Sequence, residues 1–171
     1  MKSVIAKSDV RGRMAAGTES LETAARHARH RFFGECARQS RCPRVLLAHH
    51  ADDQAETVLM RLLRGSGPSG LAGMRWKRTE KKVELIRPFL RINKTALIGL
   101  CQSEGFAYAM DASNLLMKYK RNAVRLEVLP MLEKYNPKVK QSLLQLSEIA
   151  GAEDEFMEAN ALKCFEELVL F

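Results

Sequence analysis

The chain has 171 residues and a formal net charge of +8, and hydrophobic residues make up 46% of it. This length and composition suit one soluble globular domain. No apolar run has the length of a membrane-spanning helix or of a signal peptide, so we expect a cytoplasmic protein without membrane association. The acid-poor start also permits an organelle address. Most of the excess positive charge lies in residues 1–100, which favours a polyanionic partner such as nucleic acid.

The first half of the chain alternates between short apolar runs and helical patterns. Residues 3–6 predict a short buried strand, and residues 19–39 predict a helix with apolar side chains at steps of three and four. The run RVLLA at residues 44–48 is typical of a strand buried on both faces. A second helix is predicted at residues 52–64, and it ends at Gly65.

The second half begins with a predicted loop at residues 65–82, which is rich in glycine, serine and basic side chains. A strand is predicted at residues 83–86, and Asn93 suits the N-cap of a helix through residue 104. Another helix begins near Arg121, Pro130 should end or kink it, and Asn136 opens a final helix. Alternating strands and helices with few strands predict an incomplete Rossmann-like α/β fold, with a parallel sheet, flanking helices and a helical C-terminal extension.

The stretch HHADDQAET gathers polar side chains where the strand at residues 44–48 meets the following helix. The carboxyl ends of parallel strands are where ligands bind, so this position predicts a functional site. Asp52 and Asp53 could hold Mg²⁺, which prefers hard oxygen ligands, or could orient a substrate amine. Two other interpretations stay open. Aspartates in a first helical turn can simply cap the helix, and the histidine pair could bind a transition metal, as in a metal-dependent hydrolase.

Two basic sets lie on either side of this stretch. Arg64 with Gly65 and Gly67 could bind phosphate, although a helix end followed by a loop explains these residues equally well. Arg26 and Arg29 lie three apart on one helix face, where a solvated, salt-bridged surface is the alternative.

A third basic set occurs in KYKRNAVR, at the start of the helix predicted near Arg121. Lys118, Arg121 and Arg125 could grip a nucleic-acid backbone there, with Tyr119 available to stack on a base. The alternative is a solvated basic turn that binds nothing.

Five stretches of the chain, taken in order, resemble the tRNA(Ile)-lysidine synthetases of the N-type ATP-pyrophosphatase (PP-loop) group. The match covers most of residues 18–150, and His30 stands where the family usually has tyrosine. The stretches are SLETAARHARHRFF, LLAHHADDQAETVLMRLLRGSGPSGLAGM, LIRPFL with Lys94 following, DASN at residues 111–114, and RNAVRLEVLPML.

The resemblance implies an adenine nucleotide alpha hydrolase-like fold, with residues 1–115 as a partial PP-loop ATPase-type domain and residues 116–171 as a helical, tRNA-contacting extension. It also implies an enzyme, a ligase that forms a carbon–nitrogen bond. Such enzymes use ATP to activate C2 of the wobble cytidine of isoleucine tRNA with a CAU anticodon. Free lysine then attacks C2 through its ε-amine, which yields lysidine, AMP and pyrophosphate.

The resemblance also implies roles for residues, in three groups. The catalytic acids would be Asp52, Asp53 and Glu56, with Mg²⁺ at the two aspartates as a cofactor beside ATP. The residues that bind ATP or lysine would be His49, His50, Thr57, Arg64, Gly65 and Gly67. The residues that contact tRNA would be Arg26, Arg29, Lys118, Arg121, Asn122 and Arg125.

One family motif does not occur in this sequence, the S-G-G-x-D-S loop that cradles the pyrophosphate of ATP. We therefore expect the chain to be inactive by itself, and to act with a segment that supplies this loop or as a homodimer. A noncatalytic tRNA-binding remnant is the first alternative to the ligase, and a metal-dependent hydrolase is the second.

Overall fold

The computed structural model of the chain describes residues 3–10, 21–109 and 120–169. The chain divides into two compact units that interleave in sequence. Unit 1 comprises Met1–Leu47 and Lys77–Ile86, and unit 2 comprises Ala48–Trp76 and Arg87–Phe171. The predicted domain boundary at residues 115 and 116 falls outside the described residues and stays a prediction. No described helix combines the length and the apolar character that a membrane crossing requires.

Among residues 21–47 and 77–86, unit 1 has one helix and a three-stranded sheet. Helix α1 is Leu21–Gln39, and the strands are β1 (Arg44–Leu46), β2 (Lys77–Glu80) and β3 (Val83–Ile86). The strand order is β1–β3–β2, with β1 parallel to β3 and β2 antiparallel to it. Glu84 in the middle strand lies 3.0 Å from Nε of Arg44 and also pairs with Lys77, so one carboxylate links the three strands.

The structure corrects three expectations about unit 1. Residues 3–6 have no regular secondary structure, so the strand predicted there is wrong. The strand at residues 44–48 forms over three residues but is not buried on both faces, and the Leu46 side chain is 68% exposed. Val45, whose side chain points to the opposite face, is half-buried, so the described structure covers only one face of β1. Strand β2 was predicted as loop because its sequence, KRTE, has no apolar alternation; antiparallel pairing with β3 makes it a strand.

Unit 2 is helical. Its helices are α2 (Ala51–Leu62), α3 (Pro68–Leu71), α4 (Lys94–Ser103), α5 (Lys120–Ala123), α6 (Leu129–Glu133) and α7 (Val139–Val169). Apolar side chains three and four apart on α2 form the centre of the core, and burying a side chain such as Val58 contributes about 1.5–3 kcal/mol. The buried core comprises Ala55, Val58, Leu59, Val124, Leu129 and Leu143.

Pro130 was expected to end or kink its helix; the helix continues past it, but a π-helical turn interrupts the α-helix directly before it. Residues Val124–Val128 form a π-helical turn between α5 and α6, and the backbone N–H of Leu129 donates to the carbonyl of Val124, five residues earlier. Pro130 lies in the first turn of α6, directly after this π-helical turn. The helix predicted from Asn93 is confirmed, with Asn93 in the extended N-cap conformation.

Candidate functional site

The site begins at the N-terminus of α2. His50 is the N-cap, and its Nδ1 accepts the backbone N–H of Asp53 at 3.4 Å. Asp53 Oδ2 in turn accepts the backbone N–H of His50 at 3.0 Å, which completes a reciprocal capping box. Asp52 and Asp53 also place negative charge in the first turn, where the helix dipole favours it. Helix capping therefore accounts for part of the HHADDQAET stretch.

Asp52 faces a different set of partners. Its Oδ2 accepts the backbone N–H of Lys94 at 2.8 Å, and its Oδ1 lies 3.4 Å from Nζ of Lys140. Burial acts to raise the pKa of Asp52, but the Lys94 hydrogen bond and the Lys140 charge outweigh it, so this pKa lies below its ordinary value. The pKa of the partner cation, Lys140, shifts in the opposite direction. Burial acts to lower the pKa of Lys140, whereas its bond to Glu133 and the charge of Asp52 raise it above its ordinary value.

Glu56 is the most buried acid of the site, with a side chain only 1% exposed. Two guanidinium groups surround it. Arg121 Nε donates to Oε2 at 2.8 Å, and Arg125 Nε donates to Oε1 at 2.6 Å, while Arg125 Nη2 also donates to Oε2 at 3.1 Å. The hydrogen bond to Glu56 is the main cause that raises the pKa of Arg125. Burial of this carboxylate is tolerated because charge-assisted bonds reach both of its oxygen atoms.

The same two arginines also reach Asp53. Nη2 of Arg121 and Nη2 of Arg125 each lie 3.5 Å from Asp53 Oδ1. Arg121 Nη2 further donates to the Asp53 carbonyl at 3.2 Å and to Thr57 Oγ1 at 3.4 Å. Two acids of α2 and two arginines from residues 121–125 thus form one compact group, which we call the carboxylate–guanidinium cluster (Asp53, Glu56, Arg121 and Arg125).

The glycine-rich loop at the other end of α2 is held by two residues that sequence reasoning missed. Arg61 Nη1 donates to the carbonyls of Gly70 and Gly73 at 2.6 and 2.8 Å. Gln54 Nε2 donates to the Met74 carbonyl at 3.2 Å, and its Oε1 accepts the Met74 N–H at 2.8 Å. Gln54 and Arg61 are seven apart on one helix face, and this spacing next to a glycine-rich loop was the signal available in the sequence.

The structure brings only some of the predicted residues together. His50, Asp52, Asp53, Glu56, Thr57, Arg121 and Arg125 gather around the first half of α2. Arg64 is exposed and eleven residues beyond Asp53, a separation of about 16 Å along a helix. Asn122 is buried at 8% exposure, and His49 is half-buried before the N-cap. Arg26 and Arg29 are exposed on α1 in unit 1, and Lys118 lies outside the described residues.

The donors around the two aspartates do not fit the expected Mg²⁺. Each carboxylate oxygen of Asp52 and Asp53 already has a donor or a cationic group within 3.5 Å. The neighbouring cations oppose the approach of a divalent ion. In residues 3–10, 21–109 and 120–169, no group of three His, Cys, Asp or Glu side chains is placed to hold a metal ion. We therefore assign no chemical step to Mg²⁺.

Proteins similar to this chain include bacterial tRNA(Ile)-lysidine synthases. The chain is 40% identical over 153 residues to the bifunctional protein TilS/HprT of Listeria monocytogenes, covering 90% of this chain and 24% of that protein. It is 38% identical over 144 residues to the tRNA(Ile)-lysidine synthase of Geobacillus kaustophilus (84% and 31%). The tRNA(Ile)-lysidine synthase of Bacillus subtilis is 38% identical over 138 residues (81% and 29%). The chain thus spans less than a third of the length of these three relatives.

A solved structure and a family model define the fold and the family. The U34-tRNA thiolase NcsA from Methanococcus maripaludis superposes with a TM-score of 0.55 at 19% sequence identity, covering 72% of this chain and 41% of that one. This likeness confirms the Rossmann-like α/β fold class, although β2 adds an antiparallel strand to the predicted parallel sheet. The model of the PP-loop domain matches residues 1–132. The expectation drawn from the five sequence motifs is confirmed, and the chain belongs to the PP-loop domain family.

Proposed function

We propose that this chain forms part of a tRNA(Ile)-lysidine synthase, which ligates lysine to C2 of the wobble cytidine of isoleucine tRNA at the expense of ATP. The observation that carries the proposal is the carboxylate–guanidinium cluster. Its members come from two of the stretches that resemble the family, and the fold brings them together across more than sixty residues of sequence. The high identity to two named synthases supports the same activity.

The carboxylate–guanidinium cluster and the adjacent Asp52 have the groups that the two chemical steps need. In the first step, O2 of the cytidine attacks the α-phosphorus of ATP, pyrophosphate leaves, and the base carries AMP on O2. Arg121 and Arg125 supply positive charge for phosphate oxygens at this stage. In the second step, the lysine ε-amine attacks C2, the C2–O bond breaks with AMP as the leaving group, and the amine loses a proton. Asp52, Asp53 and Glu56 would orient that amine and accept its proton.

The other residues of the family pattern take supporting roles in this proposal. His50 would position Asp52 and Asp53, and Thr57 would position Arg121. Arg64 with the following glycines would bind phosphate. Arg26 and Arg29, which are exposed, would contribute to the tRNA surface, whereas the burial of Asn122 does not support the tRNA contact expected of it. Because each acid already has cationic or N–H partners, substrate binding would have to exchange some of these contacts.

The test is a chimera. The 144-residue region of the Geobacillus kaustophilus synthase that aligns with this chain would be replaced by this chain, so that the enzyme supplies all other segments. With ATP, lysine and isoleucine tRNA, we expect tRNA-dependent pyrophosphate release and lysidine by mass spectrometry. The isolated chain is expected to produce neither. Absence of lysidine from a folded chimera that binds tRNA would refute the proposal.

Variants of the chimera assign the steps. Asp52→Asn should retain pyrophosphate release in the absence of lysine but lose lysidine formation by about 100-fold or more, because the acid acts on the amine. Glu127→Gln, an exposed acid outside the cluster, is the matched control and should retain both steps. Equal loss of pyrophosphate release and lysidine formation in Asp52→Asn would indicate that this residue acts on the nucleotide and not on the lysine.

One observation favours a second candidate, a noncatalytic tRNA-binding module. All four oxygen atoms of Asp53 and Glu56 are already engaged, as a purely structural cluster would require. This candidate predicts salt-sensitive tRNA binding without nucleotide dependence. Affinity should then fall in Arg121→Gln and remain unchanged in Asp52→Asn. No observation on the described residues favours a metal-dependent hydrolase.

A further inference from the structure

Unit 1 contains a groove of about 920 Å³ between α1 and the hairpin of β2 and β3. Its lining is strongly basic, and the cationic side chains are spread along it and exposed to solvent. None of them forms an ion pair with another described residue. The five cations of this basic groove are Arg31, Arg38, Arg41, Lys81 and Lys82.

The acidic side chains of the basic groove do not cancel this charge. Glu80 lies 3.1 Å from Nδ1 of His30, and Glu35 is an exposed side chain on α1. Burial lowers the pKa of His30 below its ordinary value, so this ring is neutral at pH 7 and leaves the balance of charge to the arginines and lysines. The basic groove therefore carries a net positive charge that is distributed over two structural elements.

Three of the five cations have backbone conformations that normally belong to glycine. The φ angles of Arg41, Lys81 and Lys82 are 52°, 46° and 69°, and no other non-glycine residue in the described ranges has positive φ. A side chain at such a position costs free energy that glycine does not incur. Strained positions of this kind concentrate at sites where a side chain is needed.

Each of the three positions has a preferred residue that differs from the one found. Arg41 follows α1 in a Schellman arrangement, in which the N–H of Cys42 donates to the Ala37 carbonyl at 3.0 Å, and glycine is usual there. Lys81 and Lys82 are the two central residues of the hairpin turn, and both have positive φ. Asn-Gly is the common choice for a two-residue turn of this type.

We propose that the basic groove binds the phosphate backbone of RNA. A polyanion fits better than a single phosphate, because the five cations line an open groove and belong to both a helix end and a hairpin turn. Lysine and arginine contacts to phosphates position a nucleic acid without reading its sequence. If the proposed function is right, this RNA is the tRNA substrate, held here by residues separate from the carboxylate–guanidinium cluster.

The test removes charge without disturbing the fold. Lys81→Asn with Lys82→Gly gives the turn its preferred residues, so the melting temperature should equal or exceed that of the unchanged protein. Binding of the 171-residue chain to isoleucine tRNA and to an unrelated tRNA is measured without ATP or lysine, over a range of KCl concentrations. We expect the double variant to bind both RNAs at least about fivefold more weakly at low salt. The slope of a plot of log K against log[salt] should decrease in magnitude by about 2, because two phosphate contacts are lost.

The matched control is Lys134→Gln with Lys138→Gln, which removes the same charge from exposed positions of unit 2. It should bind both RNAs almost as the unchanged chain does. Equal weakening in control and groove variants, or none in the groove variant, would overturn the proposal. Binding to phosphatidylglycerol–phosphatidylcholine vesicles but to neither tRNA would also overturn it, in favour of a membrane surface. If the chimera makes lysidine but the groove variant binds tRNA normally, only the proposal for the groove is refuted. If the groove variant binds tRNA weakly but a folded chimera makes no lysidine, only the proposed function is refuted.

Discussion

The two units differ in which residues have positive φ and in whether their cationic side chains are paired with acids. In unit 2, the described residues with positive φ are glycines, at positions 65, 73 and 105. In unit 1, they are one arginine and two lysines. Unit 2 neutralises Arg121 and Arg125 against buried Glu56, whereas the cations of the basic groove in unit 1 remain exposed and unpaired with described residues.

This difference separates positions selected for stability from positions selected for contact. Glycine at Gly73 and paired charges at Glu56 lower the free energy of the folded state. Lysine at Lys82 raises it relative to glycine, and no hydrogen bond or ion pair with the described residues compensates. A side chain that costs stability and forms no ion pair with the described residues fits the contact with RNA proposed for the basic groove. Substitutions in each unit test this distinction.

The largest expected effect is in the carboxylate–guanidinium cluster. Glu56→Ala would leave two guanidinium groups without their main partner, and breaking a buried ion pair costs about 3–5 kcal/mol. Arg121 and Arg125 are 32% and 27% exposed, so water recovers part of this loss. We expect a decrease of about 2–4 kcal/mol in the free energy of unfolding, measured with urea.

Two variants make this measurement specific. Glu127→Ala removes an exposed acid from the neighbouring π-helical turn and should change stability by less than about 0.5 kcal/mol. Glu56→Met combined with Arg121→Leu and Arg125→Leu replaces the whole group with apolar side chains, and should recover much of the lost stability. If Glu56→Ala is as stable as the unchanged chain, the ion pairs of the cluster do not stabilise the fold. Unit 2 would then not differ from unit 1 in having stabilising charge pairs.

A second effect concerns glycine at a left-handed position in unit 2. A Cβ atom at Gly73 would lie 2.6 Å from Nε2 of Gln54, and φ there is +68°. Gly73→Ala should therefore combine backbone strain with displacement of Gln54, and destabilise the fold by about 1–3 kcal/mol in thermal or urea unfolding. Gly65→Ala is the control, because φ is +76° but nothing lies within 4 Å; its cost should be about 1 kcal/mol. Equal costs would show that Gln54 yields freely.

The sequence predicted the elements whose local signals agree with their packing. Apolar spacing placed α1 and α2, the run VELI placed β3, and Asn93 marked the start of α4. The stretch HHADDQAET was predicted as a site because of its polar density at a strand-to-helix junction. Of these residues, Asp53, Glu56 and Thr57 contact Arg121 or Arg125, two residues that the sequence assigned to tRNA.

The failures have a common cause, which is that tertiary pairing overrides local pattern. KRTE has no strand signal, and β2 exists because β3 offers hydrogen-bond partners. Pro130 is a helix breaker by itself, but here it follows a π-helical turn and the helix continues past it. The pairing of Arg121 with Glu56 spans 65 residues, and no spacing rule in one sequence reports such a contact.

A smaller effect tests unit 1 at Lys82. Lys82→Gly removes a side chain from a residue with φ of 69°, and should raise the free energy of unfolding by about 0.5–1 kcal/mol after the entropic cost of glycine. Lys82→Ala is the control, because it removes the charge but keeps the Cβ atom, and it should show no gain. A gain in both variants would mean that charge repulsion, and not backbone conformation, destabilises the turn.

The smallest effect is a pH dependence that originates at Asp52. Its pKa is lower in the folded chain than in the unfolded chain, so its contribution to stability is fully present above the unfolded pKa, about 3.9, and is lost as the pH falls through the folded value. Asp52→Asn should lower stability at pH 7 by about 0.5–1 kcal/mol and should make the loss of stability below pH 4 less steep. Lys140→Met should raise the pKa of Asp52, measured by carboxyl NMR titration, because it removes a charge 3.4 Å away. A pKa of Asp52 that does not change in Lys140→Met would show that the Lys94 N–H and His50 hold the carboxylate. Asp52 would then belong with the capped helix start more than with the paired charges of unit 2.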